Sequence, residues 1–230
     1  MYEYLEKYID YEYHPRYDKE RSDMHNEIIN SYFINKLQQD NKKVIFTCGC
    51  YGAGKGHTMR RLHNTNKINL DNYVYVDPDK IRAYIPEYNI YLKEDSFTAG
   101  SKTNKEAGYI AELIQLQSLF NGYNLIVDGS MKDFVWYKKH IEWIKETFPQ
   151  YEIIIIFVEA SWLTVIERIW KRAEVTRRLI KFDTIKESFE SSFKSFKELN
   201  DVAHKSFIVN NDNNDNNGYN DNNKLDIIEI

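Results

Sequence analysis

The hydrophobic pattern alternates between short apolar runs and amphipathic stretches along most of the chain. Consecutive apolar positions predict buried strands over residues 44–47, 73–76, 125–127, 153–158 and 207–209. Between these runs, apolar residues recur at helical spacing. Strands that are apolar on both faces and alternate with helices indicate a mainly parallel sheet covered by helices on each face. We therefore predict an α/β fold, a three-layer sandwich.

The predicted helices follow from apolar residues three or four positions apart. The first runs from a cap at Ser22-Asp23 to about Asp40. Its apolar positions are Ile28, Ile29, Phe33 and Leu37. Further helices are predicted from the glycine-rich segment to His63, over residues 103–120 and 134–148, after Ser161, and over residues 184–203. Nearly every predicted strand is thus followed by a helix.

Changes in composition divide the chain into four predicted segments. Residues 1–40 are a helical extension whose first part is rich in Tyr, Glu and Lys. Residues 41–211 carry the α/β domain. Residues 212–223 are almost entirely Asn and Asp and are predicted to be a disordered loop, since they have little to bury. Residues 224–230 return as a strand or end as a tail.

Composition and charge restrict the class of protein and its partners. With 42% apolar residues and 15% aromatic residues, the chain of 230 residues is globular. The net charge of −4 argues against nucleic acid as a partner of the whole surface, since a surface built for a nucleic-acid backbone is basic, and it leaves a local basic patch open. The sequence contains neither a membrane-length apolar run nor an apolar signal peptide. We expect a cytoplasmic protein without a membrane partner.

The two cysteines, Cys48 and Cys50, do not provide a disulfide framework. We expect reduced thiols. A metal site would also require His57 and His63, and this spacing matches no zinc pattern. The region has a better interpretation as a glycine-rich ligand loop.

The strongest chemical signal is the segment from Gly49 to Thr58, which stands where a strand gives way to a helix. Glycines let backbone N–H groups converge on phosphate oxygens, and a lysine can reach the β and γ phosphates. This pattern predicts a Walker A-type phosphate loop, although a glycine-rich turn with a surface lysine is the structural alternative. The nucleotide-binding candidates are Gly49, Tyr51, Gly52, Ala53, Gly54, Lys55, Gly56, His57 and Thr58.

The magnesium ligands are less clear, because Gly56 stands where phosphate loops usually have Ser or Thr. We still expect Mg²⁺, since phosphoryl transfer requires the shared charge of the β and γ phosphates to be neutralised. Asp128 ends a predicted strand and is the candidate for ordering a magnesium-bound water. An ordinary Asp-Gly turn is the alternative for Asp128.

A second acidic motif, Asp77-Pro78-Asp79-Lys80-Ile81-Arg82, directly follows the strand at 73–76. Ligands of parallel sheets bind where strands end, so Asp79 is a candidate base for a substrate hydroxyl. Arg82, one turn later, is a candidate substrate-binding residue. Alternatively, Asp77 or Asp79 caps the helix that Pro78 opens.

Basic residues crowd the helix after Ser161 and the loop that follows it. They are Arg168, Lys171, Arg172, Arg177, Arg178 and Lys181. Planar guanidinium groups stabilise a transferring phosphoryl group, so we predict an arginine lid. The alternative is a solvated basic face paired with Glu167 and Glu174. The spacing from Thr103 to Glu106 predicts a capping box, in which the Glu106 side chain would accept a hydrogen bond from the Thr103 backbone N–H. This structural role competes with a substrate role for Glu106.

Together these motifs resemble the zeta toxin family of P-loop kinases. The resemblance covers about residues 43–211 and rests on the phosphate loop, the segment 76–82, Glu106-Ala107, the segment 122–130, Glu167-Arg168 and Arg177-Arg178. It implies that Lys55 binds ATP phosphates, that Asp79 is the base, and that Arg168 with Arg177 or Arg178 stabilises the transition state. It also implies that Glu106 contacts a sugar substrate, with Glu112 as a competing match.

Bacterial members of this family phosphorylate UDP-N-acetylglucosamine. The resemblance therefore implies an ATP- and Mg²⁺-dependent kinase whose partners are a nucleotide and a small hydroxyl-bearing substrate. Two alternatives remain open: a polynucleotide 5′-hydroxyl kinase, and a nucleotide-binding module without catalysis. Whether an antitoxin-like protein binds the chain also stays open.

Overall fold

The computed structural model describes residues 2–212 and 226–230. Its strands are β1 (Lys43–Cys48), β2 (Tyr73–Val76), β3 (Asn124–Asp128), β4 (Glu152–Glu159), β5 (Lys205–Asn210) and β6 (Asp226–Glu229). Its α-helices are α1 (Lys19–Ser31), α2 (Lys55–Asn64), α3 (Pro78–Ile81), α4 (Tyr88–Glu94), α5 (Ala99–Lys102), α6 (Asn104–Phe120), α7 (Phe134–Thr147), α8 (Trp162–Thr176) and α9 (Phe182–Asn200). Short 3-10 helices cover Glu3–Tyr8, Leu70–Asn72 and Arg82–Tyr84.

The chain divides into two compact units. The first unit contains residues 2–42, 71–127 and 177–179. The second contains residues 43–70, 128–176, 180–212 and 226–230. Each unit is assembled from segments that are distant in sequence, so neighbours in the fold are often not neighbours in the chain.

In the first unit, β2 and β3 pair in parallel, with Val74 opposite Leu125. Most residues of helix α6 are buried, and many of them are apolar. Ile110 and Ile114 are fully buried. Helix α1 packs against α6, and its Ile29 is fully buried. The N-terminal residues are thus part of this unit's core.

In the second unit, β1, β4 and β5 pair in parallel, and β6 runs antiparallel beside β5. Phe46 lies opposite Ile155, and both side chains are fully buried. Because the strands are apolar on consecutive positions, both faces of each central strand can be covered. The prediction of a mainly parallel α/β fold is confirmed.

The first predicted helix has different ends in the structure. Asp18, not Ser22-Asp23, caps α1 by accepting a hydrogen bond from the Arg21 backbone N–H. The helix stops at Ser31, and Asn35 has a left-handed φ of 58° that no α-helix continues. Leu37 is 74% exposed, so the expected apolar face does not extend to residue 40.

The other predicted elements agree with the structure within a few residues, and α9 ends at Asn200 instead of 203. Of the predicted disordered loop, residues 213–223 lie outside the described residues. Within the described ranges, none of the helices is long and apolar enough to cross a bilayer.

Candidate functional site

The phosphate loop joins β1 to α2 in the second unit. Gly49, Gly52 and Gly54 have φ values of 143°, 80° and 88°. A Cβ atom on Gly49 would lie 2.6 Å from the Val158 carbonyl oxygen, and one on Gly52 would lie 2.7 Å from the Val165 carbonyl oxygen. Only glycine combines this backbone with such close packing. This backbone conformation is of the kind that holds an anion on N–H groups, and in this structure the Ala53 N–H donates to the Cys50 carbonyl oxygen at 3.2 Å.

Lys55 is the first residue of α2. Its Nζ donates hydrogen bonds to the carbonyl oxygens of Gly49, at 3.0 Å, and Cys50, at 3.3 Å. The Lys55 ammonium group is thus hydrogen-bonded to the backbone of the phosphate loop. The Tyr51 backbone N–H donates a hydrogen bond to the Ser188 hydroxyl at 3.4 Å.

The three residues after Lys55 differ in their exposure. Gly56 lies in α2, and His57 is exposed. Thr58 is fully buried, and its backbone N–H donates to the Gly54 carbonyl oxygen. Its hydroxyl is enclosed by protein, so the side chain of Thr58 is poorly placed to reach a ligand.

Asp128 at the end of β3 is oriented by Thr47, which sequence reasoning missed. The Thr47 hydroxyl donates to Asp128 Oδ1 at 2.8 Å and accepts from the Gly129 backbone N–H at 3.3 Å. The described residues contain no group of three His, Cys, Asp or Glu side chains suited to a metal ion. A single carboxylate still fits Mg²⁺, which usually keeps water and phosphate oxygens as ligands.

Arg168 contacts the phosphate loop directly. Its Nη1 donates to the Ala53 carbonyl oxygen at 3.1 Å, and its Nη2 donates to the Asn211 carbonyl oxygen at 2.9 Å. The Asn211 side chain donates to the same Ala53 oxygen at 2.8 Å. Asn211 is buried. Sequence reasoning missed it because one more Asn at the start of an Asn-rich tract carries no distinguishing signal.

Asp79 lies in the first unit, and Asp77 takes the capping role beside it. Asp77 accepts a hydrogen bond from the Asp79 backbone N–H at 2.9 Å and caps α3. The Asp79 carboxylate instead forms ion pairs with Arg178 Nη1, at 2.6 Å, and Arg82 Nη2, at 3.3 Å. The carboxylate is 37% exposed, which leaves it accessible to a substrate.

The two neighbouring arginines of the predicted lid behave differently. Arg178 is mostly buried and pairs with Asp79, whereas Arg177 is exposed and has a left-handed φ of 57°. Arg82 also donates to the Gly100 carbonyl oxygen at 3.1 Å. Asp79, Arg82 and Arg178 therefore form one charged cluster, and Arg177 stands apart from its ion pairs.

The predicted capping box at Glu106 is wrong. The Thr103 hydroxyl donates to the Ala99 carbonyl oxygen and does not cap α6. Glu106 accepts hydrogen bonds from Arg21 and His25 of α1 instead. Burial would raise the pKa of Glu106, but the hydrogen bonds from His25 and Arg21 outweigh it and lower the pKa to about 2.

Both cysteines are buried and free. Burial raises the pKa of the Cys48 thiol to about 12 and also raises the pKa of Cys50. His63 Nδ1 accepts a hydrogen bond from the Leu70 backbone N–H. These roles leave the cysteines and His63 poorly suited to a metal ion.

A glycine loop that ends in a lysine at the start of a helix, on mainly parallel strands, defines a P-loop kinase-like α/β protein. The zeta toxin family model matches residues 29–224. The chain therefore belongs to the zeta toxin family. The match begins in α1, earlier than the resemblance over residues 43–211.

Solved structures show the same fold. A chain of the PezAT chromosomal toxin-antitoxin system of Streptococcus pneumoniae is 20% identical, with a TM-score of 0.67 over 85% of this chain and 79% of that chain. A chain of the AvrRxo1-ORF1:-ORF2 complex with ATP is 10% identical, with a TM-score of 0.61 over 84% of this chain and 64% of that chain. No curated protein matches.

Proposed function

We propose that this protein transfers the γ-phosphate of ATP to a hydroxyl group of a small molecule, and that the acceptor is a sugar nucleotide such as UDP-N-acetylglucosamine. The observation that carries the proposal is the loop from Gly49 to Gly54, with Lys55 opening α2. Its positive φ values support a cradle of N–H groups, and the α2 N-terminus adds a positive dipole end.

The donor side would use the phosphate loop and the side chains that contact it. Lys55 would exchange its bonds to the loop carbonyls for the β and γ phosphates. Arg168 and Asn211 would keep the loop in shape through the Ala53 carbonyl oxygen. Asp128, oriented by Thr47, would hold a water of the Mg²⁺ that shields the phosphate charge.

The acceptor side would use the charged cluster of Asp79, Arg82 and Arg178. Asp79 would accept the proton of the substrate hydroxyl as its oxygen forms a bond to the γ-phosphorus. The bond between the γ-phosphorus and the β,γ-bridging oxygen breaks, and ADP leaves with that oxygen. Arg178 would stabilise the charge that develops on the phosphoryl group. Arg82 would bind the substrate and hold the Asp79 carboxylate through its ion pair.

The test combines a metabolite screen with matched variants. Purified protein is incubated with ATP, Mg²⁺ and a panel of hydroxyl metabolites that includes UDP-N-acetylglucosamine, with Lys55→Ala as the blank. We expect Asp79→Asn to abolish transfer and to leave nucleotide affinity nearly unchanged. Asp95→Asn, an exposed acid in the same unit, is the control. Full turnover in Asp79→Asn would exclude Asp79 as the base.

The two alternatives predict other outcomes. A polynucleotide kinase would bind an oligonucleotide acceptor with an affinity that falls steeply as salt rises, because several counterions are released. A sugar-nucleotide acceptor has few phosphates and responds modestly. A non-catalytic module would bind ATP without transfer to any acceptor in the panel.

A further inference from the structure

The Arg21 guanidinium of α1 connects two carboxylates of the first unit. Its Nη1 and Nη2 donate to both oxygens of Glu87, at 2.9 and 2.7 Å. Its Nε and Nη2 donate to the two oxygens of Glu106, at 2.5 and 2.9 Å. A planar fork that binds both oxygens of a carboxylate also fixes its orientation.

His25 lies one turn after Arg21 on the same face of α1. Its Nε2 lies 2.7 Å from Glu106 Oε1, and its side chain is 1% exposed. The rings of Tyr17 and Tyr109 pack against the imidazole, with centroids 4.6 and 5.6 Å away. Arg21 and His25 thus approach Glu106 from one helix, and aromatic packing restricts His25.

The donors occupy the Glu106 oxygens unevenly. Oε1 interacts with both Arg21 and His25, whereas Oε2 accepts from Arg21 Nη2. A carboxylate oxygen has roughly two acceptor positions. Oε2 therefore retains capacity for one more donor, and the side chain is 15% exposed. An ionised carboxylate held in this way can accept one substrate hydroxyl.

A short path of contacts connects Glu106 to the proposed base. Asp79 pairs with Arg82, and Arg82 Nη2 donates to Asn104 Oδ1 at 3.5 Å. Asn104 and Glu106 both lie in the first turn of α6. The Glu106 carboxylate and Asp79 therefore belong to one connected part of the first unit.

We infer that Arg21 and His25 are positioning residues that orient the Glu106 carboxylate for a hydroxyl group of the sugar-nucleotide acceptor. This role rests on the proposed function. It gives the N-terminal extension a part in acceptor binding, because α1 supplies both residues. Glu106 would contact the acceptor, and Arg21 and His25 would act through it.

Stability alone is a weaker explanation for this cluster. Buried ion pairs often contribute little net stability, because desolvation offsets the attraction. The N-terminal residues also have a second attachment to α6, since His14 Nε2 lies 3.0 Å from Glu112 Oε1. His14 is as buried as His25, at 1% exposure. His14 therefore offers a matched control.

The experiment compares Arg21→Gln, His25→Gln and His14→Gln in the full chain, with ATP, Mg²⁺ and UDP-N-acetylglucosamine. We expect Arg21→Gln to raise the acceptor KM by about tenfold or more, since two charge-assisted hydrogen bonds to Glu106 are lost. His25→Gln should raise the acceptor KM less, because glutamine keeps an N–H donor. The ATP KM should stay within about twofold of the wild type in all three variants, since each retains the phosphate loop.

His14→Gln should leave the acceptor KM near the wild-type value, even if its unfolding midpoint falls as far as that of His25→Gln. An equal rise of the acceptor KM in His14→Gln and His25→Gln would overturn the inference, because docking of the extension would then explain both effects. So would an unchanged acceptor KM in Arg21→Gln.

Calorimetric titration with UDP-N-acetylglucosamine separates these failures from failure of the proposed function. A wild-type protein that neither binds nor phosphorylates this acceptor would contradict both proposals. A wild-type protein that does both, with an unchanged KM in Arg21→Gln, would contradict the positioning role alone.

Discussion

The phosphate loop and the charged clusters around Asp79 and Glu106 are built in opposite ways. The loop takes its shape from glycines within a few residues of one another and from hydrogen bonds to backbone carbonyls. The clusters consist of side chains far apart in sequence: Arg21 and Glu106 are separated by 85 positions, and Asp79 and Arg178 by 99. One region depends on backbone geometry and the other on pairing of charges.

This difference predicts how each region fails. Adding side-chain volume should damage the loop, since it lacks space for a Cβ atom. Removing a charge should damage the clusters, since a partly buried partner loses its counterion. The following variants separate damage by added volume from damage by a lost charge.

The largest effect is expected for Gly52→Val. Its Cβ would lie 2.7 Å from the Val165 carbonyl oxygen, at a φ of 80°. We expect the free energy of unfolding to fall by about 3 kcal/mol or more, and ATP binding to be lost. Chemical denaturation and ATP titration measure both.

Gly56→Ala is the control for this variant. A Cβ there would lie 3.8 Å from Arg60 Nη1, an ordinary van der Waals contact, and the residue is helical. We expect the free energy of unfolding to rise by up to about 1 kcal/mol. Wild-type ATP affinity in Gly52→Val would exclude this backbone as the phosphate cradle.

The next effect is expected for Arg178→Gln. Loss of its charge removes the close partner of Asp79 and the proposed transition-state donor. We expect kcat to fall about 1000-fold, as for other arginines that stabilise phosphoryl transfer. Arg177→Gln should change kcat far less, because Arg177 is exposed. Equal losses in steady-state assays would assign the catalytic role to both arginines.

A moderate effect is expected for Asn211→Ala. It removes one of two side-chain donors to the Ala53 carbonyl oxygen, and Arg168 remains. We expect the ATP KM to rise about tenfold, with little change in the acceptor KM. Asn210→Ala alters the exposed neighbour and serves as the control. An unchanged ATP KM in Asn211→Ala would show that Asn211 does not support the loop.

The smallest effect concerns acid stability. The Glu106 pKa is lowered from 4.5 to about 2 in the folded protein, so the folded state is favoured above pH 4.5 and this contribution is lost as pH falls towards 2. Arg21 also lowers the pKa of Glu87. In Arg21→Gln, the difference in free energy of unfolding between pH 7 and pH 3 should therefore shrink. Urea denaturation at both pH values measures it, and an unchanged difference would contradict these ion pairs.

Local sequence determined the α/β fold and the phosphate loop. Apolar runs of three to six residues fall within β1 to β5, and the glycines fall where β1 meets α2. These features are local, because the apolar pattern of a strand and the conformational freedom of a glycine involve only residues that are neighbours in the chain. For the same reason the predictions at Thr103 and Leu37 are wrong, because a suitable spacing in sequence had no matching contact in the fold.

Tertiary structure alone decided which charges meet. It placed Arg21 and His25 on Glu106, Arg178 on Asp79, and Arg168 with Asn211 on the Ala53 carbonyl oxygen. An ion pair forms wherever the folded chain brings opposite charges within a few ångströms, whatever their separation in sequence. A chain with many Lys, Arg, Asp and Glu residues permits many such pairings, and tertiary packing, including that of α1 and α3 against α6, selects among them.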